Sequence, residues 1–143
     1  MRDLYQQVII DHGRRPRNCR RIEDADHMMV GNNPLCGDKL VVYVKMDGDM
    51  ISDVSFEGDG CAISMASASL MTEALKGMRI DQSKKCFEAF HAMLTIDDAP
   101  IVEGKLSVLE GVKAYPMRIK CATLAWHAMD AALHVNNDEV STE

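Results

Sequence analysis

Leu40, Val42, Val44 and Met46 alternate with Val41, Tyr43 and Lys45, the period of a strand that turns one face to a core. Asp47-Gly48-Asp49 reads as a hairpin turn, and Ile51 to Glu57 returns with Val54 and Phe56 on a common face. His27 to Val30 is expected to add a third antiparallel strand. Elsewhere the period is helical. Leu4, Tyr5, Val8, Ile9 and His12 share one stripe over residues 3–12, and His12 is expected to end that helix beside Gly13, where positive charge suits the helix dipole. Ile63, Ala66, Leu70 and Ala74 repeat at three and four residues until Gly77 stops the run. That face is crowded with Ala and Ser, so a neighbour must pack closely on it. Asp81, as N-cap, predicts a helix to about Leu94 with Phe87, Phe90 and Leu94 inward, and a short helix is expected near Ser107–Val112. Pro116 then opens the most regular run, Ile119, Ala122, Trp126, Met129 and Leu133, with a second, small face of Cys121, Ala125, Ala128 and Ala132. From Asn136 the chain is polar, and 136–143 is expected to fray. The elements predict an α+β fold, a small antiparallel sheet of about three strands covered by helices on one side, within a single domain spanning 1–143.

Composition narrows the function classes. Hydrophobic residues make up 47% of the 143 residues, enough for a buried core, and the eleven methionines read as core filling. A formal charge of −6 disfavours a general nucleic-acid or anionic-membrane binder. No apolar run reaches the roughly 20 residues that span a bilayer, and no apolar leader opens the sequence, so a cytoplasmic address is expected. Arg14, Arg15, Arg17, Arg20 and Arg21 fall within eight residues. Without interleaved aromatics they do not suit single-stranded nucleic acid. They are either a solvated loop, partly offset by Glu23, Asp24 and Asp26, or a docking patch for an acidic protein partner.

The chemistry lies with the cysteines, at 19, 36, 61, 86 and 121. An odd count without a Cys-x-x-Cys pair, in a chain with no secretion signal, favours metal binding or thiol chemistry over a disulfide framework. Cys19 reads as exposed, and Cys86, inside a helix, as a buried structural thiol. The other three stand at element boundaries. Cys36 lies in Asn33-Pro34-Leu35-Cys36-Gly37-Asp38, where proline stiffens the turn and Gly37 lets it bend. Cys61 follows Gly58-Asp59-Gly60 at a helix opening, where free N–H groups favour thiolate. Cys121 follows Pro116, with Arg118 and Lys120 adding positive charge. With Asp38 these thiols make a candidate four-ligand site of three sulfurs and one oxygen, suited to tetrahedral zinc. The carboxylate is the weaker partner for a soft metal and suggests a site that exchanges something. On composition and spacing alone, structural zinc without chemistry is the favoured reading.

Three stretches carry a resemblance that shifts this balance: Asn33-Pro34-Leu35-Cys36-Gly37-Asp38, Gly58-Asp59-Gly60-Cys61-Ala62-Ile63-Ser64-Met65-Ala66-Ser67-Ala68-Ser69, and Arg118-Ile119-Lys120-Cys121-Ala122-Thr123-Leu124-Ala125-Trp126. Together they closely resemble the SufU proteins of the IscU/NifU N-terminal-like superfamily, over nearly the whole chain and in the right order. The resemblance implies a SufE/NifU-like fold and a role in iron–sulfur cluster assembly. It implies that Cys36, Asp38, Cys61 and Cys121 bind zinc or a nascent cluster, with Gly37, Gly60, Arg118 and Lys120 in support. IscU-type scaffolds carry a histidine before the third cysteine, where this chain has Lys120. They also carry a Leu-Pro-Pro-Val-Lys stretch, where it has Ala114-Tyr115-Pro116-Met117-Arg118, and a segment between the second and third cysteines shorter than the 59 residues found here. These features look like SufU. The expected function is zinc-dependent transfer of persulfide sulfur, with Cys36 as acceptor. The sulfur would come from a pyridoxal-phosphate cysteine desulfurase of SufS type and pass to a downstream Suf-type scaffold. The alternative is a scaffold holding iron or a [2Fe–2S] or [4Fe–4S] cluster on the same ligands.

Overall fold

The computed structural model describes residues 3–134 and 140–141. Its sheet is built from β1 (His27–Asn33), β2 (Asp38–Asp47) and β3 (Met50–Asp59), consecutive antiparallel strands. Its helices are α1 (Asp3–Arg14), α2 (Ala62–Leu75), α3 (Ile80–Thr95) and α4 (Pro116–Leu133), with a 3₁₀ segment over Gly104–Ala114 before the last. The α+β expectation holds. A two-residue strand β4 (Val140–Ser141) pairs parallel with β1, giving the order β3-β2-β1-β4. The expected frayed tail at 136–143 therefore has paired backbone at 140–141, and its other residues lie outside those described.

Register fixes one apolar face. Met29 stands opposite Val42 and Val42 opposite Phe56; Gly31 stands opposite Leu40 and Leu40 opposite Gly58. Helices α2 and α4 cover this face. At Gly31 a side-chain Cβ would come within 3.2 Å of Leu124 and 3.3 Å of Ala128, so α4 lies almost on the strand backbone. The small residues of α4 serve that approach. The serines of α2 serve another: Trp126 Nε1 donates to Ser67 Oγ at 3.1 Å, and Ser67 donates to the Ala122 carbonyl. Phe90 stacks on Trp126 with centroids 4.4 Å apart, fixing α3 to α4. Met29, Met71, Met93 and Met129 are buried as expected, whereas Met28, Met50 and Met117 are exposed.

Three local expectations are corrected. The N-cap of α3 is Arg79, not Asp81, because Gln82 reaches back to accept the Arg79 N–H at 3.0 Å. The short helix near Ser107 is the 3₁₀ segment and begins at Gly104. His12 is buried, not a charged helix terminus: its Nδ1 lies 2.7 Å from Ser69 Oγ and its Nε2 3.6 Å from Glu73, tying α1 to α2. Burial holds its pKa below the ordinary histidine value.

Candidate metal centre

The apolar face ends in a polar row. Beyond Gly31 and Leu40, the next inward pair is Asn33 and Asp38, both fully buried. Between them the chain makes a tight turn, with the Cys36 N–H donating to the Asn33 carbonyl at 3.2 Å. Gly37 has a φ of 73°, a conformation that side-chain-bearing residues rarely adopt. Cys36 is thereby left half-buried on the turn, and Asp38 is carried into the interior as the first residue of β2.

The end of β3 brings the second thiol. At Gly58 a Cβ would lie 2.1 Å from the Lys39 carbonyl oxygen, so only glycine allows β3 to cross β2 there. At Gly60 a Cβ would lie 2.9 Å from Asp38 Oδ1 and 3.2 Å from Ser64 Oγ. Cys61 follows as the N-cap of α2. Its N–H donates to Asp38 Oδ1 at 2.7 Å, and its sulfur accepts the Ser64 N–H at 3.4 Å and lies 3.9 Å from Asp38 Oδ2. Cys121 arrives on α4, buried and one turn deeper than a free helix N–H would reach. Beside the other candidate ligands, its sulfur meets the Asn33 amide, whose Nδ2 donates at 3.9 Å.

The ligand atoms of Cys36, Asp38 and Cys121 all lie within 4.8 Å of one another; the Cys61 sulfur stands outside that group and adjoins it at Asp38, 3.9 Å from Oδ2. In tetrahedral zinc with sulfur bonds near 2.3 Å, neighbouring sulfurs stand about 3.8 Å apart, so small side-chain rotations would close the four onto one ion. Burial pushes the Cys121 thiol far up, and the adjoining Cys36, Cys61 and Asp38 push it further. Three thiols and a carboxylate packed this way repel one another as anions, and a dication removes that penalty. Two buried polar atoms at the site, Asn33 Oδ1 and Ser64 Oγ, lack a protein partner. The donor set, the space kept by Gly60 and these polar atoms fit zinc.

Not every candidate joins the cluster. The Arg118 guanidinium sits over the Tyr115 ring, 4.7 Å from its centroid. Four of the five clustered arginines face carboxylates of this chain: Arg17 and Arg15 meet Asp11 at 2.7 and 3.3 Å, Arg20 meets Asp53 at 2.7 Å and Arg21 meets Glu23 at 3.7 Å. Cys19 is exposed, as expected. Cys86 is half-buried rather than buried, on a groove of about 420 Å³ with Glu73, Glu103 and Lys105. Asn33 and Ser64 were not legible as site residues. An asparagine before a proline reads as a turn former, and a serine in an Ala/Ser-rich helix reads as packing.

The chain is 45% identical over 130 residues to the zinc-dependent sulfurtransferase SufU of Bacillus subtilis (strain 168), covering 89% of this chain and 87% of that one. It is 38% identical over 132 residues to the iron–sulfur cluster assembly scaffold protein IscU of Streptococcus pyogenes serotype M1, covering 91% and 82%. The crystal structure of a putative iron–sulfur cluster assembly scaffold protein for the SUF system, from Fervidobacterium islandicum AW-1, superposes with a TM-score of 0.84 at 35% identity, over 89% of this chain and 94% of that one. Residues 4–142 match the NifU-like N-terminal domain, a stretch that includes all four candidate ligands and the elements that carry them, and the chain belongs to that family.

Proposed function

We propose that this protein works in iron–sulfur cluster assembly as a zinc-dependent sulfurtransferase. It takes sulfur from the persulfide of a pyridoxal-phosphate cysteine desulfurase and passes it to a cluster-building scaffold. The observation that carries the reading is the convergence of Cys36, Asp38 and Cys121 within 4.8 Å at the buried end of the sheet, with Cys61 against Asp38. Zinc on these four residues keeps the thiols deprotonated at neutral pH.

The chain's own residues divide the work. Cys61 caps α2 and Cys121 lies inside α4, so moving either sulfur disturbs the packing of a buried helix. Cys36 sits half-exposed on the turn, next to a glycine whose Cβ position has nothing within 4 Å. Rotation at Gly37 presents its sulfur outward. The Cys36 thiolate attacks the terminal sulfur of the donor persulfide; the donor's S–S bond breaks and its cysteine leaves as thiolate. One S–S bond forms as one breaks, and no outside oxidant is needed. A second reading, assembly of a cluster on the same ligands, is favoured by the likeness to the scaffold protein of Streptococcus pyogenes.

The deciding experiment measures zinc on the purified protein, then adds desulfurase and cysteine and records persulfide by intact mass. Persulfide with zinc retained supports transfer. A visible-absorbing cluster at stoichiometric yield after iron addition overturns it in favour of the scaffold.

A further inference from the structure

We infer that Asn33 is a positioning residue for the metal centre: its side-chain N–H holds the Cys121 sulfur and fixes it as the ligand that stays. This rests on the zinc reading above and names the group that ranks its sulfurs.

Asn33 opens the turn that the Cys36 N–H closes on its carbonyl. At such a position the side-chain oxygen usually accepts a backbone N–H two residues on, which is why asparagine is common there. Here that oxygen has no partner, although the residue is fully buried. The turn therefore does not use the side chain. Its amide nitrogen is instead directed at Cys121 Sγ, 3.9 Å away and 88 positions along the chain. The backbone leaves little freedom in this: Asn33 is paired with Asp38 across β1 and β2, so its Cβ points to the core face beside the carboxylate ligand.

An N–H donor to a metal-bound thiolate stabilises the sulfur lone pairs, lowers the sulfur's nucleophilicity and fixes its direction. Cys61 receives a comparable bond from the Ser64 backbone. Cys121 is too deep in α4 for a free helix N–H, and the Asn33 amide supplies what the helix cannot. The two helix-borne sulfurs are thus both held by N–H donors, one from backbone and one from a side chain. The side-chain donor is the one a substitution can remove.

The test uses the whole chain with Asn33→Leu, which keeps the branching and size but carries no donor. Zinc affinity is measured by chelator competition, and the thiolate-to-metal charge-transfer band is recorded after Co²⁺ replacement. Near-UV circular dichroism around Trp126 checks folding. The expected result is a loss of zinc affinity of about 10-fold to 100-fold, with the cobalt band moved to longer wavelength because the sulfur lone pairs are no longer lowered. If Asn33→Leu does not fold, the same readouts on Asn33→Ala and Asn33→Ser decide; the serine hydroxyl keeps a donor, and a smaller band shift than with alanine supports the inference. A folded donor-free variant with wild-type affinity and an unmoved band overturns it while leaving the zinc reading intact. A wild-type chain that takes up neither zinc nor cobalt overturns both.

Discussion

Two groups of residues stand out along this chain, and they behave in opposite ways once it folds. Arg14, Arg15, Arg17, Arg20 and Arg21 are neighbours in sequence, yet four of them turn to carboxylates of their own chain on α1, β3 and the adjoining loop. Cys36, Asp38, Cys61 and Cys121 are scattered over three segments, yet their side chains converge at one end of the sheet. Charges close in sequence can be neutralised by any nearby acid, because ion pairing is tolerant of geometry. Ligands that meet from separate elements must be placed by register, close backbone approaches and helix starts together. Convergence of that kind is costly to build and is the better sign of function.

The sharpest way to break the comparison is at Cys121. Cys121→Ser is expected to abolish tight zinc binding and to remove the stability that zinc supplies, about 4 kcal/mol at a thousandfold excess over the dissociation constant. Thermal unfolding with and without chelator checks this: wild type should shift strongly on chelation and Cys121→Ser hardly at all. An equal shift in both would remove Cys121 from the ligand set. Asp38→Ala should come next. It takes away one candidate ligand and also the acceptor of the Cys61 N–H, a loss of about 0.5–1.5 kcal/mol for a part-buried hydrogen bond. Gly60→Ala keeps every ligand but sets a methyl 2.9 Å from Asp38 Oδ1, and a zinc affinity about tenfold weaker is expected. Wild-type affinity in Gly60→Ala would show that Asp38 has room to move.

Much of this was readable before any coordinates. The alternation at 40–46 gave β2 and its inward face, and the glycines before Cys61 marked a helix start. The physical reason for each glycine was not readable, because the Lys39 carbonyl and the Asp38 carboxylate that exclude a Cβ belong to other segments. His12 misled for a related reason. Its place beside Gly13 argued for a charged helix end, while Ser69 and Glu73, which take it into the interior, come from a helix more than fifty residues away. Asn33 was hidden by its own plausibility as a turn residue. What sequence conveyed poorly was which side chains meet across elements.

Buried His12 and half-buried His127 offer a weaker effect with a definite sign. His12 has its pKa lowered by burial, then by Arg17 and Lys105, against the raising influence of Glu73 and Asp11. His127 has its pKa lowered by burial and then by His91, against Asp130, and its ring packs edge-on to Phe87 and His91 of α3. In both cases the unfolded chain takes up the proton first. Stability from these groups is therefore full above the ordinary histidine pKa of about 6.5 and falls as pH drops toward the lower folded value. Urea unfolding at pH 7.5 and 5.5, with chelator present so that ligand protonation does not contribute, should show this loss, and His127→Phe should reduce it. An unchanged pH dependence in His127→Phe would show that the ring is protonated in the fold.

The smallest effect is expected where the sequence looked most charged. Arg20 makes two contacts with Asp53, at 2.7 and 2.9 Å, and holds that carboxyl below its usual range. Arg20 is 44% exposed and Asp53 is 27% exposed, and Lys76 stands 3.5 Å from the same Asp53 oxygen. Removing the arginine leaves the carboxylate a cation and water, so Arg20→Ala should cost about 0.2–1 kcal/mol, at the lower end of that range. Zinc affinity should not change, since Asp53 lies in the middle of β3, away from the end that meets Asp38. Arg14 is the useful contrast, because among the described residues it has no carboxylate within 4.0 Å and its charge remains available to a partner. If the arginines dock an acidic surface, Arg14→Glu should slow the salt-dependent association with the desulfurase more than Arg20→Ala does. Stopped-flow association at two ionic strengths distinguishes them. Equal rates for Arg14→Glu, Arg20→Ala and wild type would leave the whole run as a self-neutralised loop and place docking elsewhere on the surface.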